Sequence, residues 1–168
     1  MIITDKEKLL LIKLISKCIS KDTTRESLNY INADNDFIVT TNGASLIRIK
    51  NDYILPPNIY KLHKLTKKEA VLTACEKYII YPDCHTFFKA IKRENLIERK
   101  YNNKHLFYRQ IISILKENET ISYDIIDNFI DRINVFCLLD DKTIYFSNDR
   151  NEFELLICKI KNKGRAGR

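Results

Sequence analysis

Apolar and polar positions follow two different periods along this chain. Over residues 5–20 the repeat is about 100° per residue: Leu11, Ile12, Ile15, Cys18 and Ile19 fall on one side, Lys6, Lys13, Lys17 and Lys21 on the other. That spacing predicts a helix with a core face and a lysine face. After Asp22–Thr23–Thr24 the period shortens, and Leu28–Ile31, Phe37–Thr41 and Ser45–Lys50 read as short strands. Asn42–Gly43 sits between the last two and predicts a hairpin, because both residues tolerate the positive φ of a type I′ turn. Pro56–Pro57 breaks the chain, Ile59–Leu62 suits an edge strand, and Ala70–Ile80 suits a strand running into a Tyr81–Pro82–Asp83 turn.

The second half begins with a basic stretch, His85 to Lys104, read as a short helix and an exposed connection. His105–Asn118 has helical spacing in Phe107, Ile111, Ile114 and Leu115, while its β-branched content also allows a strand. Ser122 is a candidate N-cap for a helix over Tyr123–Arg132, with Asp124 in its first turn. Asn134–Leu139, an Asp140–Asp141–Lys142 turn, Thr143–Ser147 and Phe153–Ile160 follow as three closing strands. The order predicts an α+β fold built on an antiparallel sheet.

At 168 residues and 45% apolar composition the chain suits a single domain with a core that needs neither disulfide nor metal. Five cysteines, odd in number and without a C-x-x-C pair, read as reduced core residues. No apolar stretch approaches the roughly 18–20 residues of a membrane span, and no secretory segment is apparent, so a cytoplasmic protein without membrane association is expected. The net charge of +7 conceals a segregation. Residues 117–154 hold ten acids and three bases, a net of −7; the rest of the chain holds 26 bases and 12 acids, a net of +14. That division favours a basic face for a polyanion and an acidic face turned away from it.

Catalytic signatures are missing. The sequence has no G-x-x-x-x-G-K-[ST], G-x-G-x-x-G, G-x-S-x-G or H-E-x-x-H. Cys84–His85 lacks an orienting third group, and neighbours in extended chain point to opposite faces. Asp140–Asp141 and Asp124, Asp127 and Asp131 are explained by a turn and a solvated helix face rather than by Mg²⁺. The expectation is a non-enzymatic protein without cofactor or metal.

Three stretches together resemble one family. Residues Ile15 to Ile31, with Ser20-Lys21-Asp22-Thr23-Thr24-Arg25 and Leu28-Asn29-Tyr30-Ile31, followed by Thr41-Asn42-Gly43-Ala44-Ser45-Leu46, resemble the opening of a domain of the bacterial DNA polymerase sliding clamp, the β subunit. Tyr81-Pro82-Asp83 is similar to that family's Phe-Pro-Asp-Tyr turn. Ile121 to Ile160 is similar to its carboxyl end, a helix followed by three strands. The hairpin has Asn42, Ala44 and Ser45 where the family has Asp, His and Arg, and Ile157-Cys158-Lys159-Ile160 replaces a Met-Pro-Met type ending. Ile-, Lys-, Asn- and Tyr-rich composition suggests an AT-rich genome, such as that of a phage or mobile element.

The resemblance implies a clamp-like domain over residues 1–162, antiparallel sheets with two helices on one face, a basic insertion near 85–118 and a basic flexible tail at 163–168. It implies a replication processivity or accessory role, with helix lysines meeting the phosphates of double-stranded DNA without reading bases. Lys6, Lys13, Lys17, Lys21 and Arg25 are the expected contacts, joined by Lys89, Lys92 and Arg93 of the basic stretch. The acids of 123–132 would repel DNA. Replication proteins are further expected partners, since in that family the terminal residues help form a pocket for short peptides of polymerases and loaders. The alternative reading is an interaction protein that binds a clamp, a loader or such peptides. A clamp subunit strings three domains together, so a single-domain chain would need self-association to form a ring.

Overall fold

The computed structural model describes residues 1–161 apart from residues 90, 118 and 141. The expected tail at 163–168 lies outside the described residues. The first helix, α1 (Lys6–Ile15), begins where Asp5 accepts a bond from the Lys8 amide at 2.9 Å, satisfying one of the donors left open at a helix start. It buries Leu9, Ile12, Leu14 and Ile15, then tightens into a 3₁₀ turn at Ser16–Cys18. Its apolar stripe therefore includes Leu9 and Leu14, while Leu11 and Ile19 lie half-buried at its edge.

Strands β1 (Ile2–Ile3), β2 (Ile31–Ala33), β3 (Phe37–Thr41), β4 (Ser45–Lys50), β5 (Asn58–Leu65) and β6 (Ala70–Ala74) make the first half of the chain. The second half holds α2 (His85–Lys89), β7 (Ile97–Glu98), α3 (Lys104–Ile112), β8 (Glu119–Thr120), α4 (Tyr123–Asp127), β9 (Val135–Leu138), β10 (Thr143–Ser147), β11 (Phe153–Cys158) and β12 (Ile160–Lys161). Ten strands form one antiparallel sheet in the order β1-β6-β5-β2-β3-β4-β11-β10-β9-β7, and β12 pairs with β8 separately. A helix followed by three antiparallel strands thus occurs twice, as α1-β2-β3-β4 and α4-β9-β10-β11. The two units join through the β4–β11 pair, whose register sets Arg48 opposite Glu154.

Strand alternation gives this sheet two buried faces. Ile38, Ile47, Ile144, Phe146, Leu155 and Ile157 point toward α1, α3 and α4 in the main core. Val39, Leu46, Tyr145 and Leu156 point the other way and are covered by Cys84 and Phe88, with Ile91 and Leu96 packed alongside. The expected α+β arrangement with α1 and α4 on one face is present, and α3 joins them there. The basic stretch wraps the sheet: α2 lies on one face, β7 pairs with β9 at the edge, and α3 returns to the other face. Phe107 of α3 is fully buried against Phe136 at 5.7 Å in an edge-on contact.

Local readings shift for physical reasons. Leu28 sits in a 3₁₀ turn at Glu26–Asn29 rather than a strand, because the Asp22 carboxylate takes the Thr24 amide and hydroxyl and the Leu28 carbonyl accepts from Ser20. β6 stops at Ala74, where its partner β5 runs out next to Pro56–Pro57. The Asn42–Gly43 hairpin forms, with positive φ at Gly43 alone; the Asn42 side chain instead accepts from the Ala44 and Ser45 amides. Asn103 caps α3 and makes the 104–112 stretch helical. Ser122 holds the N-cap position of α4 without a side-chain bond, and α4 ends at Asp127, with a 3₁₀ turn at Ile130–Arg132 beyond it.

Candidate nucleic-acid interface and groove

Helical geometry lines up Lys6, Leu10 and Lys13 on the side of α1 turned from the core, and Lys17 continues the row in the 3₁₀ turn that follows. Lys6 and Lys17 are exposed, and neither they nor Lys13 is paired with a carboxylate among the described residues. Lys13 reaches sideways, its Nζ donating to the Lys67 carbonyl at 3.2 Å. Lys8 belongs to another side of the helix and donates to the Tyr53 carbonyl at 2.6 Å. Lys21 is exposed in the loop after α1.

The other expected contacts go elsewhere. Lys89, Lys92 and Arg93 flank Phe88 and Ile91, which cover the sheet face opposite α1, so one duplex lying on α1 cannot meet them. The Arg25 guanidinium lies over the hairpin turn, 3.0 Å from where a Cβ on Gly43 would stand. On the α1 face itself α4 carries Asp124 and Asp127, and the 3₁₀ turn after it carries Asp131; Lys104 of α3 pairs with Asp127. The eight predicted residues therefore divide among the α1 stripe, the loop after it, a hairpin lip and the far face.

Beside Arg25 the two units meet in an apolar groove of about 290 Å³. Leu28, Gly43, Ala44 and Leu46 line it from the first unit, Thr143, Leu156 and Cys158 from the second. Pro82, Cys84 and an exposed Phe87 complete it from the 81–88 stretch. Of these residues, the resemblance tied only the terminal Cys158 to a pocket; the hairpin residues and Phe87 gave no such signal, since nothing local shows that α2 stands beside the hairpin. Burial pushes the Cys84 thiol up to about 11, so Cys84–His85 is not a thiolate pair. His85 turns instead to Asp34, Nε2 to Oδ2 at 3.0 Å.

A larger cleft, about 1020 Å³, opens on the same face of the sheet. Arg48 forms part of its wall, its guanidinium held between the Phe37 and Phe88 rings at 4.3 and 4.0 Å and paired with Glu154. Lys50 pairs with Asp52 at its rim. Among the described residues no three His, Cys, Asp or Glu side chains come together to hold a metal ion. No helix among them is long and apolar enough to cross a membrane.

No family model matches the sequence, and no curated protein matches it. Solved structures do resemble the fold. The DNA polymerase III β subunit of Borrelia burgdorferi, solved in complex with a natural product, superposes with a TM-score of 0.56 at 12% identity, over 96% of this chain and 64% of that one. A putative DNA polymerase III β subunit of Eubacterium rectale gives 0.56 at 9% identity, over 95% of this chain and 64% of its own. The chain thus has a sliding-clamp-like fold and spans just under two thirds of the length of either structure.

Proposed function

We propose that this chain is a non-enzymatic clamp-fold protein of DNA replication that lies on duplex DNA through the exposed side of α1. The observation that carries the reading is the row of Lys6, Lys13 and Lys17, without carboxylate partners among the described residues, on a helical segment whose opposite side is core. Such a row neutralises phosphates without access to base edges, so binding is independent of sequence and falls with salt. About four neutralised phosphates, with Lys21 as the fourth cation, give a log–log salt slope near −3.6. Fluorescence anisotropy with duplexes of several sequences measures that slope. Lys13→Glu with Lys17→Glu weakens all sequences alike, and no binding at low salt refutes the reading. The acidic α4 on the same face supports contact by one edge of the domain rather than encirclement by a single chain.

The groove favours a second reading, in which the protein takes a short apolar peptide of a polymerase or loader. Its support is the composition of the walls: leucine, proline and phenylalanine side chains around backbone edges at the hairpin. Ala44 is exposed at the lip, so Ala44→Arg fills the groove while the melting temperature stays unchanged. Loss of binding to such peptides in A44R supports this reading; retained binding refutes it.

A further inference from the structure

We infer that the turn between β5 and β6 supplies a second row of phosphate contacts, through Lys67 and Lys68, so that duplex DNA lies across α1 toward the β1 end of the sheet. The inference rests on the proposed DNA reading and adds residues and a direction to it. Three observations carry it. First, the turn touches the stripe: Lys13 Nζ bonds to the Lys67 carbonyl, which puts the two lysine-bearing elements side by side. Second, the turn is held in shape. Thr66 accepts from the Lys68 and Glu69 amides at 3.1 and 3.0 Å, and its own amide donates to the Glu69 carbonyl at 2.8 Å. Lys64 neutralises Glu69 at 2.7 Å, and the exposed Lys67 and Lys68 at the tip have no carboxylate partner among the described residues.

Third, charge is sorted along the sheet. The turn at the β1-β6-β5 end carries Lys67 and Lys68 beside α1, whereas α4, with exposed Asp124, and the 3₁₀ turn after it, with exposed Asp131, precede β9 near the other end. A polyanion on the α1 face is therefore pulled toward the turn and repelled from α4. From Lys6 to Lys17 the stripe spans about 16 Å at 1.5 Å per residue. One DNA strand presents roughly five phosphates over that length, at 3.4 Å each. The turn stands beside the middle of this span, where a second row widens the footprint.

The test compares the full chain with two double variants on a random-sequence duplex across a salt series. Lys67→Gln with Lys68→Gln keeps the main-chain carbonyl that Lys13 uses, and both side chains are exposed, so an unchanged melting temperature is the control on folding. With these two contacts added to the four of α1 and the loop after it, the expected salt slope is about −5.4 for the full chain and about −3.6, shallower by about 1.8, for this variant. Lys89→Gln with Lys92→Gln, on the far face, leaves the slope unchanged. Binding by the unmodified chain with an undiminished slope in K67Q/K68Q overturns the inference alone. No binding by the unmodified chain at low salt overturns the DNA reading and the inference together.

Discussion

Arg48 of β4 and Glu154 of β11 face each other across the strand pair that joins the two helix-and-three-strand units. Arg48 Nε donates to Glu154 Oε2 at 2.5 Å, and Tyr145 donates to Oε1 at 3.0 Å. Side-chain exposure is 13% for Arg48 and 4% for Glu154. A buried pair of this kind offsets most of its own desolvation but leaves a stranded charge when one partner goes.

Glu154→Ala is therefore expected to destabilise the protein by about 3–5 kcal/mol in urea unfolding, while Arg48→Met with Glu154→Leu together stays far closer to the parent. Burial raises the Glu154 pKa above the usual glutamate value, against the lowering effect of Arg48. With the folded value raised, the stability the carboxyl contributes is full below about 4.5 and is lost as pH climbs through the folded value. The stability of the parent relative to Glu154→Gln should accordingly fall from pH 4 to neutrality. A difference that grows over that window contradicts the assignment.

Gly43 has φ +87°, and a Cβ there meets the Arg25 guanidinium at 3.0 Å. Gly43→Ala should cost on the order of 1 kcal/mol through the left-handed backbone alone. It should also displace Arg25 from the groove lip. Thermal unfolding reads the first effect, and peptide binding to the groove reads the second.

Thiol reactivity should separate the five free cysteines. Burial pushes Cys18 up to about 12 and Cys84 and Cys137 up to about 11, leaving almost no thiolate near neutral pH. Cys158 is exposed at the groove. Iodoacetamide followed by peptide mass spectrometry should label Cys158 well before those three in the native protein, and all of them alike in denaturant.

Phe107→Ala should lower stability by about 3–5 kcal/mol, because the ring is fully buried between α3 and β9. Loss of that anchor loosens α3 from the sheet, so amide hydrogen exchange in 104–112 should accelerate more than in β3 and β4. Uniform acceleration would place Phe107 in the global core instead.

Much of the fold was legible where the chain specifies itself locally. The period of Ile12, Ile15 and Cys18 set the core side of α1, Asn42–Gly43 placed a hairpin, and the short apolar runs within 143–160 placed closing strands. The helix-or-strand ambiguity at 105–118 was settled by Asn103, whose cap the apolar pattern did not reveal. Tyr81-Pro82-Asp83 marked a turn, yet nothing local showed that Pro82 would stand beside Gly43 and Leu156 in one groove.

Charge shows the division most plainly. The sequence by itself determined that bases and acids occupy different stretches and that α1 has a lysine side, because helix period and residue order are local properties. Only the tertiary structure decided which basic residues share a surface. It set Lys89, Lys92 and Arg93 behind the sheet and brought Lys67 to Lys13, 54 residues apart in the chain. The physical reason is that the face a residue occupies follows from strand order and from how the 85–112 stretch wraps the sheet edge. Both are fixed by burying the two sides of β3, β4, β10 and β11, not by any run of neighbouring residues.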